Sequence, residues 1–112
     1  MEEKNRRCFP RITLKTPLHY KVRGTTRFDN TISNDISVGG LGFSNNEFIA
    51  PNTILNFELN ILSRIIRPSA RVAWAVPIPH SDRCKMGVEF LEMEPEEKGS
   101  LTDYINIRSR PF

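Results

Sequence analysis

The chain has 112 residues, with 16 Lys and Arg against 13 Asp and Glu, 38% hydrophobic residues, eight prolines and two cysteines. That is the size of one small globular domain, which excludes a two-domain enzyme and can build a core without a metal or disulfide scaffold. The net charge of +3 is unevenly spread: residues 1 to 30 carry eight basic and three acidic groups while the other 82 carry eight and ten, so the N-terminal end suits an anionic partner.

The sequence opens with charge, MEEKNRRCF, and has no apolar signal region. Its longest uncharged stretch, Ile36 to Asn46, falls well short of the roughly 18 residues a membrane span needs. A cytoplasmic protein without membrane insertion is expected, with Cys8 and Cys84 reduced.

Residues 12 to 22 alternate: Ile12, Leu14, Thr16, Leu18, Tyr20 and Val22 share one face, and Thr13, Lys15, Pro17, His19 and Lys21 the other. This is the signature of a half-buried strand, with Pro17 confined to an edge or non-bonding position because it lacks an N–H. A turn at Arg23, Gly24 and Thr25 leads to a returning strand from Phe28 to Ile32. The run SNDISVGGLGFS then reads as a break, since Asn, Asp, Ser and Gly bend the backbone and let it approach a neighbour.

Strand character resumes at Leu41 and Phe43 and again over 55 to 61, where Leu55, Phe57, Leu59 and Ile61 alternate with polar residues. Ala70, Val72, Trp74 and Val76 form a further inward-facing set ending at Pro77 and Pro79, and Met86, Val88 and Phe90 form the last. About six strands with short connections favour an antiparallel barrel or sandwich. Only the tail reads as helix: Pro95, Glu96 and Glu97 suit a first turn, and Leu101, Tyr104 and Ile105 make an apolar stripe able to cap one barrel end.

Catalytic chemistry has few carriers here. His19 lies on a polar strand face and His80 in a Pro-rich turn, and Cys8 and Cys84 lack any zinc-ligand spacing. Gly39, Gly40 and Gly42 are not followed by a helical pattern, which removes the phosphate-loop and dinucleotide fingerprints. No enzyme activity, metal or cofactor is expected.

Two short constellations remain. In Arg7-Cys8-Phe9-Pro10-Arg11, two planar, always-charged guanidiniums stand four residues apart, able to clamp a phosphate or read a purine edge. Arg67-Pro68-Ser69-Ala70-Arg71 has the same spacing but leads into an apolar strand, so its arginines read as ordinary solvent-facing groups. In Asp35-Ile36-Ser37-Val38-Gly39-Gly40-Leu41, Asp35 offers two acceptors that suit the N1–H and N2 donors of guanine, Ser37 can donate or accept, and Gly40 permits a close approach. The same residues also fit a turn in which Asp35 and Ser37 bond their own backbone.

In this order and separation, the RxxxR of Arg7 and Arg11 and the DxSxxG of Asp35, Ser37 and Gly40 resemble the signature of the PilZ domain, a bacterial receptor for the second messenger cyclic di-GMP. Ile36 and Leu41 match its apolar positions, and Arg71 to Trp74 and Met86 to Phe90 resemble its later strands. The resemblance implies a six-stranded antiparallel β-barrel with a C-terminal α-helix: one domain over 1–112, with a flexible arginine-bearing arm over 1–11, the barrel over 12–92 and the helix over 96–107. It implies that Arg7 and Arg11 contact phosphate and guanine, and that Asp35, Ser37 and Gly40 hold a guanine edge and the adjoining backbone. Arg6 is a candidate for an additional ligand contact, and Cys8, between positive charges, for redox sensitivity.

The expected function is a cyclic di-GMP effector that orders its arm on binding and signals to a protein partner, with motility or biofilm regulation as the class of output. A PilZ-fold interaction module with little nucleotide affinity is the alternative. A small RNA-binding barrel is the third; it would need exposed aromatics among its basic residues, and most aromatics here fall on inward faces, so no nucleic acid polymer is expected as a partner. Oligomeric state is left open by the sequence.

Overall fold

The computed structural model describes residues 10–109. It contains β1 (Ile12–Thr13), β2 (Pro17–Val22), β3 (Asp29–Ser37), β4 (Gly40–Asn45), β5 (Ile54–Ile61), β6 (Arg64–Ile66), β7 (Ser69–Pro77), β8 (Cys84–Glu92) and α1 (Pro95–Arg108). Every pairing is antiparallel. The sheet runs β3-β2-β5-β7-β8-β4 and returns to β3, so six strands close into a barrel, with β1 added along β3 and β6 along β5. Closure removes the open edges that an antiparallel sheet would otherwise expose.

Inward positions of the six strands carry the core. Tyr20, Phe43 and Phe57 meet at its centre with ring centroids 5.4 to 6.0 Å apart, a spacing that suits tilted and edge-on aromatic contacts. The Tyr20 hydroxyl accepts a hydrogen bond from Asn45 Nδ2, giving both buried polar groups a partner. Burial pushes the Tyr20 phenol pKa up from its ordinary value, because the charged phenolate would lose its solvent.

The 12 to 22 alternation holds throughout, but the strand is in two parts: both β1 and β2 pair with β3, and their register shifts by one residue between them. Ser33 patches the irregularity, accepting from Thr16 N–H and donating from its hydroxyl to the Leu14 carbonyl. Pro17 is the first residue of β2, a place where its missing N–H leaves the ladder intact.

Two expectations fail for one physical reason. The SNDIS half of the supposed break is strand, and Trp74 and Val76 point outward, 43% and 48% exposed, rather than into the core. A β-bulge explains each. In β3 an extra residue at Asn34 separates inward Ser33 from Asp35, which faces out, and in β7 an extra residue at Ala73 follows inward Val72 and turns Trp74 out. A bulge inserts one residue on one strand and inverts the facing of everything beyond it. The polar composition of β3 is thus compatible with a strand whose outer face meets solvent.

Helix α1 begins at Pro95, carries Glu96 and Glu97 in its first turn and ends on Arg108, all favourable to the helix dipole. Leu101, Tyr104 and Ile105 are buried against the barrel as their spacing predicts. Arg108 bonds the Tyr104 hydroxyl and the Thr13 carbonyl, tying the end of the helix to β1. Among the described residues no helix is long and apolar enough to cross a membrane.

The bulge at Ala73 yields a matched test on one strand. Val72→Ala, fully buried, should lower the unfolding free energy in urea by about 2 kcal/mol, whereas Val76→Ala should change it by less than about 0.5 kcal/mol. Equal losses would mean that Val76 packs inward.

Candidate functional site

Register assembles one outer face of the structure from five strands. Trp74 on β7 stands opposite Gly87 on β8, Gly87 opposite Gly42 on β4, Gly42 opposite Asp35 on β3, and Asp35 opposite Thr13 on β1. The row beside it runs Arg71, Glu89, Gly40, Ser37. Glycines at 40, 42 and 87 place no side chain of their own between Arg71 and Trp74 on β7 and Asp35 and Ser37 on β3. These strands make a glycine-floored outer face, the trough.

Each glycine leaves space that a neighbour takes. A Cβ on Gly40 would lie 2.0 Å from the Val88 carbonyl oxygen, on Gly42 2.8 Å from Asp35 Oδ1, and on Gly87 2.5 Å from the Trp74 indole. At Gly40 the obstruction is backbone, so the missing side chain serves the approach of β4 to β8. At Gly42 and Gly87 it is side chain: the carboxylate leans over one glycine and the indole over the other.

Arg11, just before β1, reaches this face and donates from Nη2 to Asp35 Oδ1 at 2.8 Å. The two side chains are 50% and 40% exposed, so the pair is solvent-screened and worth less than about 1 kcal/mol to the fold. Its effect is orientation: the fork is held over the trough beside a carboxylate that still faces solvent.

Ser37 is buried, and its Oγ accepts from Gly39 N–H at 3.1 Å across the Val38–Gly39 turn joining β3 to β4. The same turn is fastened to β8 by Phe90 N–H donating to the Gly39 carbonyl at 2.9 Å. The second constellation therefore divides: Ser37 bonds its own turn, while Asp35 spends its carboxylate on Arg11. Ile36 and Leu41, its apolar positions, are fully buried.

Arg11, Asp35, Ser37 and Gly40 thus share one face; Arg6, Arg7 and Cys8 lie outside the described residues. Trp74, Gly42 and Gly87 are the members that sequence reasoning missed. A Trp in period with a buried Ala70 and Val72 reads as core, and only the Ala73 bulge moves it out.

The second RxxxR divides, with Arg71 on the β7 side of this face and Arg67 away from it. Arg67 bonds Glu58 through Nε at 3.3 Å and accommodates Glu97 at its backbone N–H, and Arg71 is held by Glu89 and by Asn52 Oδ1 at 2.9 Å. Among the described residues no three metal-ligating side chains come together, and Cys84 is a buried free thiol.

A family model for the PilZ domain matches residues 5–106 of the chain. Among solved structures, the Bacillus subtilis inhibitor of motility MotI/DgrA superposes with a TM-score of 0.77 at 18% identity, over 93% of this chain and 53% of that one. This chain therefore spans about half of that relative. The PilZ domain of YcgR from Escherichia coli, solved with c-di-GMP, gives 0.70 at 17% identity over 91% and 90% of the two chains. The Borreliella burgdorferi PlzA protein, in complex with c-di-GMP, gives 0.55 at 17% over 95% and 38%. At these identities the likeness is one of fold. A search of curated proteins returns no match.

The geometry separates residues that hold the fold from residues displayed on it. Gly40→Ala must push β4 from β8 and should cost about 1 to 3 kcal/mol of stability, while Arg11→Ala should cost under about 1 kcal/mol, both read by unfolding the ligand-free protein in urea. A Gly40→Ala protein as stable as its parent would contradict the close approach.

Proposed function

The chain belongs to the PilZ domain family, and on that premise we propose that it is a cytoplasmic receptor for cyclic di-GMP, a binding module with no turnover, whose ligand lies in the trough on the outer face of the barrel. The observation that carries the reading is the 2.8 Å contact between Arg11 and Asp35. The second arginine of one motif and the first residue of the other, far apart in sequence, meet on one exposed face.

The ligand presents two phosphates and two guanines, and the trough has a group for each chemistry. The Arg11 guanidinium is a fork of donors suited to a phosphate oxygen or to a guanine O6/N7 edge. The Asp35 carboxylate is an acceptor suited to guanine N1–H and N2 donors, which adenine lacks in that arrangement. Their mutual ion pair holds both in place before the ligand arrives, so less side-chain freedom is lost on binding. Ser37 and Gly40 fix the turn beneath and let the backbone come near the ligand.

Arg7 completes the arginine pair from the arm over 1–11, and Arg6 adds charge for a further contact. Binding would draw that arm over the trough and change the surface offered to a protein partner, which is how the signal leaves the domain. The charge imbalance toward the first 30 residues supports this, since the ligand is a dianion.

Calorimetric titration with cyclic di-GMP tests the proposal, with GTP and cyclic di-AMP as controls. Saturable binding is expected, with Arg7→Ala and Arg11→Ala each weakening it by more than about tenfold, as loss of a charge-assisted contact should. Asp35→Ala should weaken it and narrow the preference over cyclic di-AMP. Arg67→Ala should leave affinity nearly unchanged, because its side chain bonds Glu58 away from this face, and so should Arg71→Ala, whose guanidinium is engaged by both Glu89 and Asn52. No heat from folded protein would overturn the receptor reading in favour of an interaction module.

A further inference from the structure

We infer that the cleft bordered by β5, β7 and the turn into α1 is a second binding site, for a small zwitterion of the amino-acid class. None of Arg11, Asp35, Ser37, Gly40 or Trp74 lines it, so the assignment stands apart from the receptor reading above.

Register sets the floor of this cleft. Asn56 on β5 stands opposite Ser69 on β7, and Ser69 opposite Glu92 on β8. A bulge at Leu91 makes the second pairing, since an unbroken ladder would set Leu91 there in place of a carboxylate. Bulges that re-aim a side chain gather at functional sites. With Arg23, Arg67 and Glu94 these residues border a space of about 480 Å³, open to solvent. That lies within the range of about 300 to 1,000 Å³ usual for small-molecule sites.

Ser69 is the residue whose place the fold alone does not satisfy. It is 7% exposed, and its Oγ is the one buried side-chain polar atom among the described residues without a hydrogen-bond partner. A buried hydroxyl in that state costs free energy until something supplies a partner. Ser69 lines the cleft, so a polar group seated there is the partner it lacks.

The charges around the floor fall into two groups. Arg23, just after β2, and Arg67, bonded to Glu58 on β5, stand on one side, and Glu92 and Glu94 stand at the end of β8 and the start of α1. Arg67 spends only its Nε on Glu58, and Glu94 makes no side-chain bond as the helix N-cap. Among the described residues no ion pair joins either arginine to either glutamate, although all four border one cleft. From β2 through β5 and β7 to β8 is three strand spacings, about 14 Å, a gap the long side chains narrow without closing.

That arrangement selects the ligand's chemistry. A lone anion meets Glu92 and Glu94, and a lone cation meets Arg23 and Arg67. A molecule bearing both charges finds a match at each end, its carboxylate on the guanidinium forks and its ammonium on the carboxylates. Asn56 and Ser69 take the polar groups between.

Thermal unfolding of the full chain with each standard L-amino acid at millimolar concentration tests the site. At least one is expected to raise the melting temperature in a concentration-dependent way. Its N-acetyl and C-amide derivatives, each lacking one charge, should bind at least about tenfold more weakly by calorimetry, as loss of a charge-assisted contact predicts. Glu92→Gln and Arg23→Ala should each weaken the parent amino acid about tenfold, whereas Lys85→Ala, an exposed charge lost elsewhere on β8, should not. Ser69→Ala should weaken it several-fold while the free protein melts no lower than before, because the orphan hydroxyl contributes nothing to the fold.

Stabilisation by no amino acid, or equal binding of the acetylated and amidated forms, would overturn the proposal. So would a ligand-free Ser69→Ala protein that melts below its parent, since the hydroxyl would then be serving the fold. Cyclic di-GMP titrated into the same chain reports the trough separately: its binding without any amino-acid effect removes this site alone, and the reverse result removes the receptor reading alone.

Discussion

The approach of β4 to β8 at Gly40 is the contact on which the rest of the architecture depends. A methyl group there would sit on the Val88 carbonyl oxygen, so the two strands can lie at ladder distance only because position 40 has no side chain. That contact joins the β3–β4 hairpin to the β7–β8 hairpin and turns a sheet with two open edges into a barrel. It also brings Asp35 and Ser37 within two strands of Trp74 and Arg71. Closing the barrel and assembling the trough are one geometric act.

The two bulges show how a small barrel equips its outside without spending its core. Each costs a regular ladder position, and the neighbourhood makes good the loss: Ser33 serves both the Thr16 N–H and the Leu14 carbonyl beside the Asn34 bulge. In return each strand reverses its facing once. Ser33 and Ile36 both point in although an even count does not separate them, and so do Phe43 and Leu41 opposite, without a bulge. The hydrophobic interior stays continuous while Asp35 and Trp74 are turned to the outer face.

That device also marks where the sequence was legible. The alternation over 12 to 22 and 55 to 61, and the Leu101, Tyr104, Ile105 stripe, could be read directly because one unbroken period governs each segment. Trp74 and the SNDIS run were misread because a bulge breaks period two, and nothing at Ala73 or Asn34 announces the extra residue. The short β6 is invisible for want of length, and the β4–β8 pairing for its sequence separation. Arg11 and Asp35 were found from their chemistry, but that they already pair with each other is a property of the fold. The arginines of the second RxxxR, read as ordinary solvent-facing groups, pair with Glu58 and Glu89, partners that their spacing did not announce.

Closure across distant segments governs how the trough can arise in time. Its walls come from β3 and β7 and its floor from β4 and β8, and the joining ladder pairs Gly40 with Glu89 at one end and Asn45 with Cys84 at the other. Long loops must be closed before those contacts form, which places such a barrel among the slower two-state folders, on the millisecond to second scale. A chain emerging from the ribosome holds Arg11 and Asp35 long before Trp74 and Gly87 exist, so no early fragment offers the complete trough. A molecule seated across it therefore binds the folded chain alone, and its occupancy raises the resistance of the whole barrel to unfolding by mass action.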